Sequence, residues 1–143
     1  MCISYEFIEW NYLSKVFKKD FEKKYGKAFD ITMQVIKIEL KNFENLIKQN
    51  KCTMINKSSC NNYIFIKVDF KIAWQNNTKW RDEYRYIAFI DIKKCKSYLL
   101  LIYSKNNIWS WDKKCSKQNE TLWWKCLIKK YYTEFLKYFS QNM

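Results

Sequence analysis

The 143-residue chain contains no histidine and no proline, and it has one glycine, two arginines and three alanines. Without imidazole it lacks the one side chain that titrates near neutrality unperturbed, so serine or cysteine nucleophiles activated by a histidine base are excluded. Zinc sites that mix cysteine with histidine fall for the same reason. None of the six cysteines (Cys2, Cys52, Cys60, Cys95, Cys115, Cys126) stands in a C-x2-C pair. The ring-bearing sheet motif of RNA-recognition modules needs glycines that this chain lacks. Long apolar runs are missing too. The longest, Tyr98 to Tyr103, is far short of the roughly 20 residues that a membrane-spanning helix requires. The first ten residues carry Glu6 and Glu9 and no basic side chain, the reverse of a secretory leader. These absences lead to the expectation of a soluble, cytoplasmic protein with mostly buried free thiols and no cofactor or metal.

What the chain does have is positive charge and rings. Lys and Arg number 27 against 14 Asp and Glu, a formal charge of +13, and 20% of the residues are aromatic. A surface of that composition can neutralise phosphates and stack bases. AT-rich coding also favours lysine, asparagine, isoleucine, tyrosine and phenylalanine, so part of the lysine excess needs no functional cause. It does not account for seven tryptophans under the standard code. Hydrophobic residues make up 48%, no repeat, linker or low-complexity segment interrupts the chain, and one α+β domain over residues 1–143 is expected.

Hydrophobic periodicity gives the elements. From Ser4 to Tyr25 the residues Trp10, Leu13, Phe17 and Phe21 recur at helical spacing, with Ser4 as N-cap and Gly26 at the left-handed C-terminal position. A second helix is expected from Asp30, as N-cap, to Asn50, on Met33, Ile36, Leu40, Phe43 and Ile47. A strand over Phe29 to Leu40 is the competing reading. The period then changes to two. In Tyr63 to Trp74, Ile64, Ile66, Val68, Phe70, Ile72 and Trp74 form a buried face, and the alternate positions a largely wet one. Glu83 to Lys93 is apolar on both faces, and Ser97 to Ser104 is too apolar for an open edge. Asn106 and Asn107 mark a hairpin into Ile108 to Trp111, and an extra strand fits near Thr53 to Asn56. A helix from about Glu120 to Ser140 closes the chain. The expected architecture is an antiparallel meander of three to four strands, with two N-terminal helices and one long C-terminal helix on its apolar face.

Three constellations carry candidate chemistry. Tyr63, Phe65, Lys67 and Lys71 on one strand, with Arg85 and Lys93 on the next, would put rings and cations on one sheet face, where they could stack bases and hold phosphates. The bland alternative is rings under a helix and ordinary solvated lysines. On the terminal helix, Lys125, Lys129 and Lys137, with Lys130 beside them, form a basic ridge with no packing reason to exist.

The second constellation is Asp69-Phe70-Lys71 and Asp91-Ile92-Lys93, with Asp82 and Glu83 before the second strand. It is similar in outline to the PD-(D/E)xK nuclease core, a resemblance that implies acids holding Mg²⁺ and a lysine at the charged centre. The proline is absent, Asp stands for the usual Glu, and an apolar strand follows where that core has a helix. The third is Trp80-Arg81-Asp82-Glu83-Tyr84-Arg85-Tyr86, which holds both arginines and suits an interface core or a local ion-pair lattice. Trp109, Trp111, Trp123 and Trp124 flank a lysine-rich loop and add a candidate exposed patch.

The leading expectation is a non-catalytic protein that binds nucleic acid, RNA included, or a nucleoprotein complex. The alternatives are an inhibitor or immunity-type factor from a mobile element that meets an acidic protein partner, and a metal-dependent nuclease.

Overall fold

A five-stranded mixed sheet with helices on both faces forms the α+β fold. In this computed structural model the described residues are 2–58, 60–74, 84–104, 115 and 120–137, the side chains of 11–17, 131, 134 and 136 excepted. The elements run β1 (Glu6–Glu9), α1 (Asn11–Tyr25), α2 (Lys27–Lys41), α3 (Phe43–Lys48), β2 (Cys52–Lys57), β3 (Tyr63–Phe70), β4 (Tyr84–Asp91), β5 (Lys96–Ser104), α4 (Glu120–Tyr131) and α5 (Thr133–Leu136). The sheet order is β1-β5-β4-β3-β2. Strands β2 to β5 form the expected antiparallel meander, with β2 where an extra strand was expected. The expected hairpin at Asn106 and Asn107 lies outside the described residues.

The N-terminus corrects the sequence reading. Residues 6–9 were expected inside a helix, but they pair in parallel with β5, Glu6 opposite Lys96 and Glu9 opposite Leu99. The cause is tertiary. Strand β5 is too apolar to stand at an open edge, and the aromatic and β-branched Phe7 and Ile8 suit a strand that covers it. Helix α1 therefore begins after an extended Trp10 that makes no side-chain cap. Gly26 ends it as expected, at φ 54° with its N–H on the Glu22 carbonyl, and the same residue opens α2. Asp30 lies in the first turn of α2 rather than at its cap, where its charge still suits the positive helix end. The expected second helix is two, broken at Asn42.

Alternation along β4 sends Tyr84, Tyr86, Ala88 and Ile90 to one face and Arg85, Ile87, Phe89 and Asp91 to the other. The N-terminal helices cover the first face. Phe21 packs edge-on against Tyr84 at 5.6 Å and stacks on Phe29 at 5.3 Å, and the Ser97 hydroxyl donates to the Leu40 carbonyl at 2.9 Å. Helices α4 and α5 cover the second. Phe135 lies 4.7 Å from Phe89 and 5.2 Å from Tyr98, Trp123 meets Tyr103 at 5.1 Å, and the Tyr132 hydroxyl donates to the Leu100 carbonyl. The expectation of helices on one face only is thus corrected, and the two-sided apolar pattern of residues 84–91 is its cause.

Four of the six cysteines are paired, which corrects the expectation of free thiols. Cys2 bonds Cys95, with Cα atoms 5.7 Å apart, and Cys115 bonds Cys126, with Cα atoms 5.5 Å apart. Cys52 and Cys60 remain as thiols. No spacing rule could have found the first pair. Its partners are 93 residues apart and meet because β1 lies beside β5. Among the described residues no helix is long and apolar enough to cross a membrane.

Candidate nucleic-acid interface

The sheet face expected to be wet lies under α4 and α5. Phe65 is 0% exposed and packs edge-on against Phe89 at 5.3 Å, while Tyr63 stacks on that same ring at 5.9 Å and keeps only partial exposure. Phe65 is therefore a core ring, unable to receive a base. The expectation failed because alternation reports which residues share a face and not whether another layer covers it.

Arg85 is held by acids on two elements. Its Nε donates to Asp69 Oδ1 at 2.8 Å across the β3–β4 ladder, and its Nη1 donates to Glu120 Oε2 at the start of α4. Glu120 also accepts from the Tyr103 hydroxyl at 2.7 Å. The Arg85 side chain is only 13% exposed, so this guanidinium ties the sheet to α4 and its fork is taken. Burial pushes the Glu120 carboxyl up, but hydrogen bonds from Arg85 and Tyr103 outweigh it and hold the group below its ordinary value. The Tyr103 hydroxyl is pushed well up, by burial first and by Glu120 second. The ion-pair lattice was expected with Asp82 or Glu83; those residues and Arg81 lie outside the described residues.

The acidic-x-lysine steps do not converge. Asp91 pairs with Tyr63, and Asp69 lies six residues further along β3, which separates the two carboxylates by about 20 Å. One metal ion cannot bridge them. Asp91 is buried and accepts the Lys94 N–H at 3.0 Å, as the cap of the β4–β5 turn, while Asp69 is committed to Arg85. Among the described residues no group of three or more His, Cys, Asp or Glu side chains could hold a metal ion. Lys93 stands exposed in that turn, past the end of β4, and Lys71 stands exposed past the end of β3, so neither shares a strand surface with Lys67. Lys67 is half-buried, and its charge helps keep Glu120 ionised.

The long C-terminal helix expected over Glu120 to Ser140 is broken at Tyr132 into α4 and α5, so the basic ridge is shortened to Lys125, Lys129 and Lys130 on α4. Helix α4 buries Trp123, Trp124, Leu127 and Ile128 on its inner side, so two of the four tryptophans expected to supply an exposed patch belong to the core, and Trp109 and Trp111 lie outside the described residues. The opposite side carries Lys125, half-exposed, with Lys129 and Lys130 exposed. Lys125 lies 6.0 Å from the Trp124 ring, and Lys137 is exposed beyond α5. The helix is held firmly enough to present them. Cys126 is bonded to Cys115, Glu120 anchors the first turn on Arg85 and Tyr103, and Tyr132 closes the last turn on β5.

No protein-family model matches the chain, and no curated protein is detectably similar to it.

Proposed function

We propose that the protein is a non-catalytic nucleic-acid binder that grips phosphates through the outer face of α4. The observation that carries this reading is the placement of Lys125, Lys129 and Lys130 on one side of a helix whose other side is wholly buried. Lysines at i, i+4 and i+5 on a rigid helix lie within about one and a half turns, a reach comparable to neighbouring phosphates of one strand. The overall charge of +13 adds long-range attraction to any polyanion. Because the sheet rings are covered and the Arg85 fork is engaged, backbone contacts dominate base contacts in this reading. Binding is then tolerant of sequence, and RNA and single-stranded DNA compete for it. As for where the protein works, two disulfides favour an oxidising compartment over the cytoplasm expected from the sequence.

The test is a salt series on the protein and on its Lys125→Gln, Lys129→Gln, Lys130→Gln variant, read by fluorescence anisotropy on a labelled single strand. Affinity should fall across all sequences in the variant, and the slope of log K against log salt should shrink by up to about two units, roughly 0.7 per lost contact. An unchanged slope would remove α4 from the interface. No binding by the parent at low salt would remove the function.

A further inference from the structure

Strand β1 lines the outer edge of β5 with little packing of its own. None of its four side chains is fully buried, whereas β5 is buried along nearly its whole length. Its ladder is parallel and short, from Glu6 opposite Lys96 to Glu9 opposite Leu99, and parallel pairing is the weaker kind per residue. What fixes the strand lies at its two ends. After it, Trp10 donates its N–H to the Leu99 carbonyl at 3.1 Å and packs on Phe135 at 5.0 Å. Before it, the Tyr5 N–H donates to the Lys41 carbonyl at 2.9 Å, the Tyr5 hydroxyl donates to Glu44 at 2.7 Å, and Cys2 is bonded to Cys95.

The disulfide joins two parts that are unequally held. Cys95 belongs to the β4–β5 turn, which is tied without it: the Asp91 carboxylate accepts the Lys94 N–H at 3.0 Å, and the Ile92 N–H donates to the Asn62 carbonyl at 2.8 Å. The end that moves on cleavage is therefore the Cys2 end, which carries β1. Once the bond is cut, Tyr5 alone among residues 3–9 is buried. The Cys115–Cys126 bond has no such role, because Glu120 and Tyr132 anchor α4 on either side of Cys126.

The two sulfurs also differ in access. Cys2 is 7% exposed, while Cys95 is only half-buried and lines a concavity of about 540 Å³ together with Ser4, Tyr5 and Phe7. That space admits a small thiol. Its charged lining is mixed, Lys37 and Lys41 with Glu6, so room rather than charge governs entry.

We propose that the Cys2–Cys95 disulfide is a redox latch, which a small thiol opens by attack at Cys95 so that residues 2–9 leave the edge of β5. The incoming thiolate forms a mixed disulfide with Cys95 Sγ and breaks the bond to Cys2, which departs as a thiolate and takes a proton from water. A second thiolate attacks the sulfur of the first, releasing Cys95 as a thiol and carrying away both reductant molecules as their disulfide. Two reductant thiols are thus oxidised for each protein disulfide reduced. The backbone groups of β5 that faced β1 then meet solvent, the condition in which a sheet edge accepts a further strand. The latch is independent of the nucleic-acid reading, since α4 takes no part in it.

The experiment treats the full oxidised chain with reduced glutathione, traps free thiols with N-ethylmaleimide and follows amide hydrogen exchange by mass spectrometry. Cys2 should be alkylated, with Cys95 carrying glutathione at early times and the alkyl group later. Residues 6–9 should exchange fully at times when residues 64–68 and 86–90, inside β3 and β4, are still protected. Cys2→Ser should show that pattern without thiol, and Cys115→Ser should keep residues 6–9 protected until glutathione is added. Four results would each overturn the latch: resistance of the bond to glutathione, a first adduct on Cys2, protection of residues 6–9 that survives labelling of both cysteines, or loss of protection across β3 and β4 at the same time.

Discussion

Arg85, at the centre of the sheet, bonds Glu120, the first residue of α4, so the covering helix is fixed to the sheet by charge before any of its apolar side chains is counted. Asp69 completes the clasp from the other side.

Removing the cation leaves Glu120 partly buried without its partner. Arg85→Ala should destabilise the protein by about 2 kcal/mol, near the middle of the range for hydrogen bonds to charged groups. Arg85→Lys should recover only part of this, because a point charge cannot reach two acids as the fork does. Urea unfolding of the three proteins checks the order.

The same clasp gives a pH dependence of definite sign. Glu120 is held below its ordinary value in the folded state, so its contribution is present above about pH 4.5 and is lost as pH falls through the folded value. Glu120→Gln should flatten the acid limb of the stability curve relative to the wild type. Parallel limbs below pH 4.5 would show that the carboxylate gains nothing from Arg85.

Thiol counting tests the covalent structure. Denatured but unreduced protein should show two titratable thiols, from Cys52 and Cys60, and all six after reduction. Cys2→Ser should lower stability by up to about 4.5 kcal/mol on the chain-entropy scale for a loop near 100 residues. The loop closed by Cys115 and Cys126 is far shorter and should cost about 3 kcal/mol.

The two remaining thiols should differ in reactivity. Hydrogen bonding to Ser58 lowers the pKa of the exposed Cys60, whereas burial raises that of Cys52. Iodoacetamide near neutral pH should therefore label Cys60 first, with mass spectrometry of the digest recording the order.

Periodicity was a sound guide wherever one element's own pattern decided the outcome. The strands of the meander, α1 after Trp10 and the helix at Glu120 all emerge from spacing alone. It failed where a distant element decided. Residues 6–9 became a strand because β5 needed an edge partner, and the Phe65 face became core because α5 lies on it. For the site, the alternation that grouped Tyr63, Phe65, Lys67 and Arg85 was correct as geometry. The outer face of α4, set by local helical spacing, kept the exposure expected of it, as did Lys71 and Lys93 beyond the ends of their strands. The alternation of residues 63–74 places Trp74 on the buried face, but β3 ends at Phe70 and the ring is exposed, because the pattern does not show where a strand stops.

The pairing of β1 with β5 also bears on the order of assembly. Residues 6–9 are synthesised well before their partner strand, which starts at residue 96. Until then Phe7 and Ile8 have no ladder to join, and α1 to α3 have no finished sheet face to cover. A contact this distant carries a large loop-closure cost and slows folding. The edge strand is therefore expected to dock late, leaving β5 as an open apolar edge in the intermediate that precedes it.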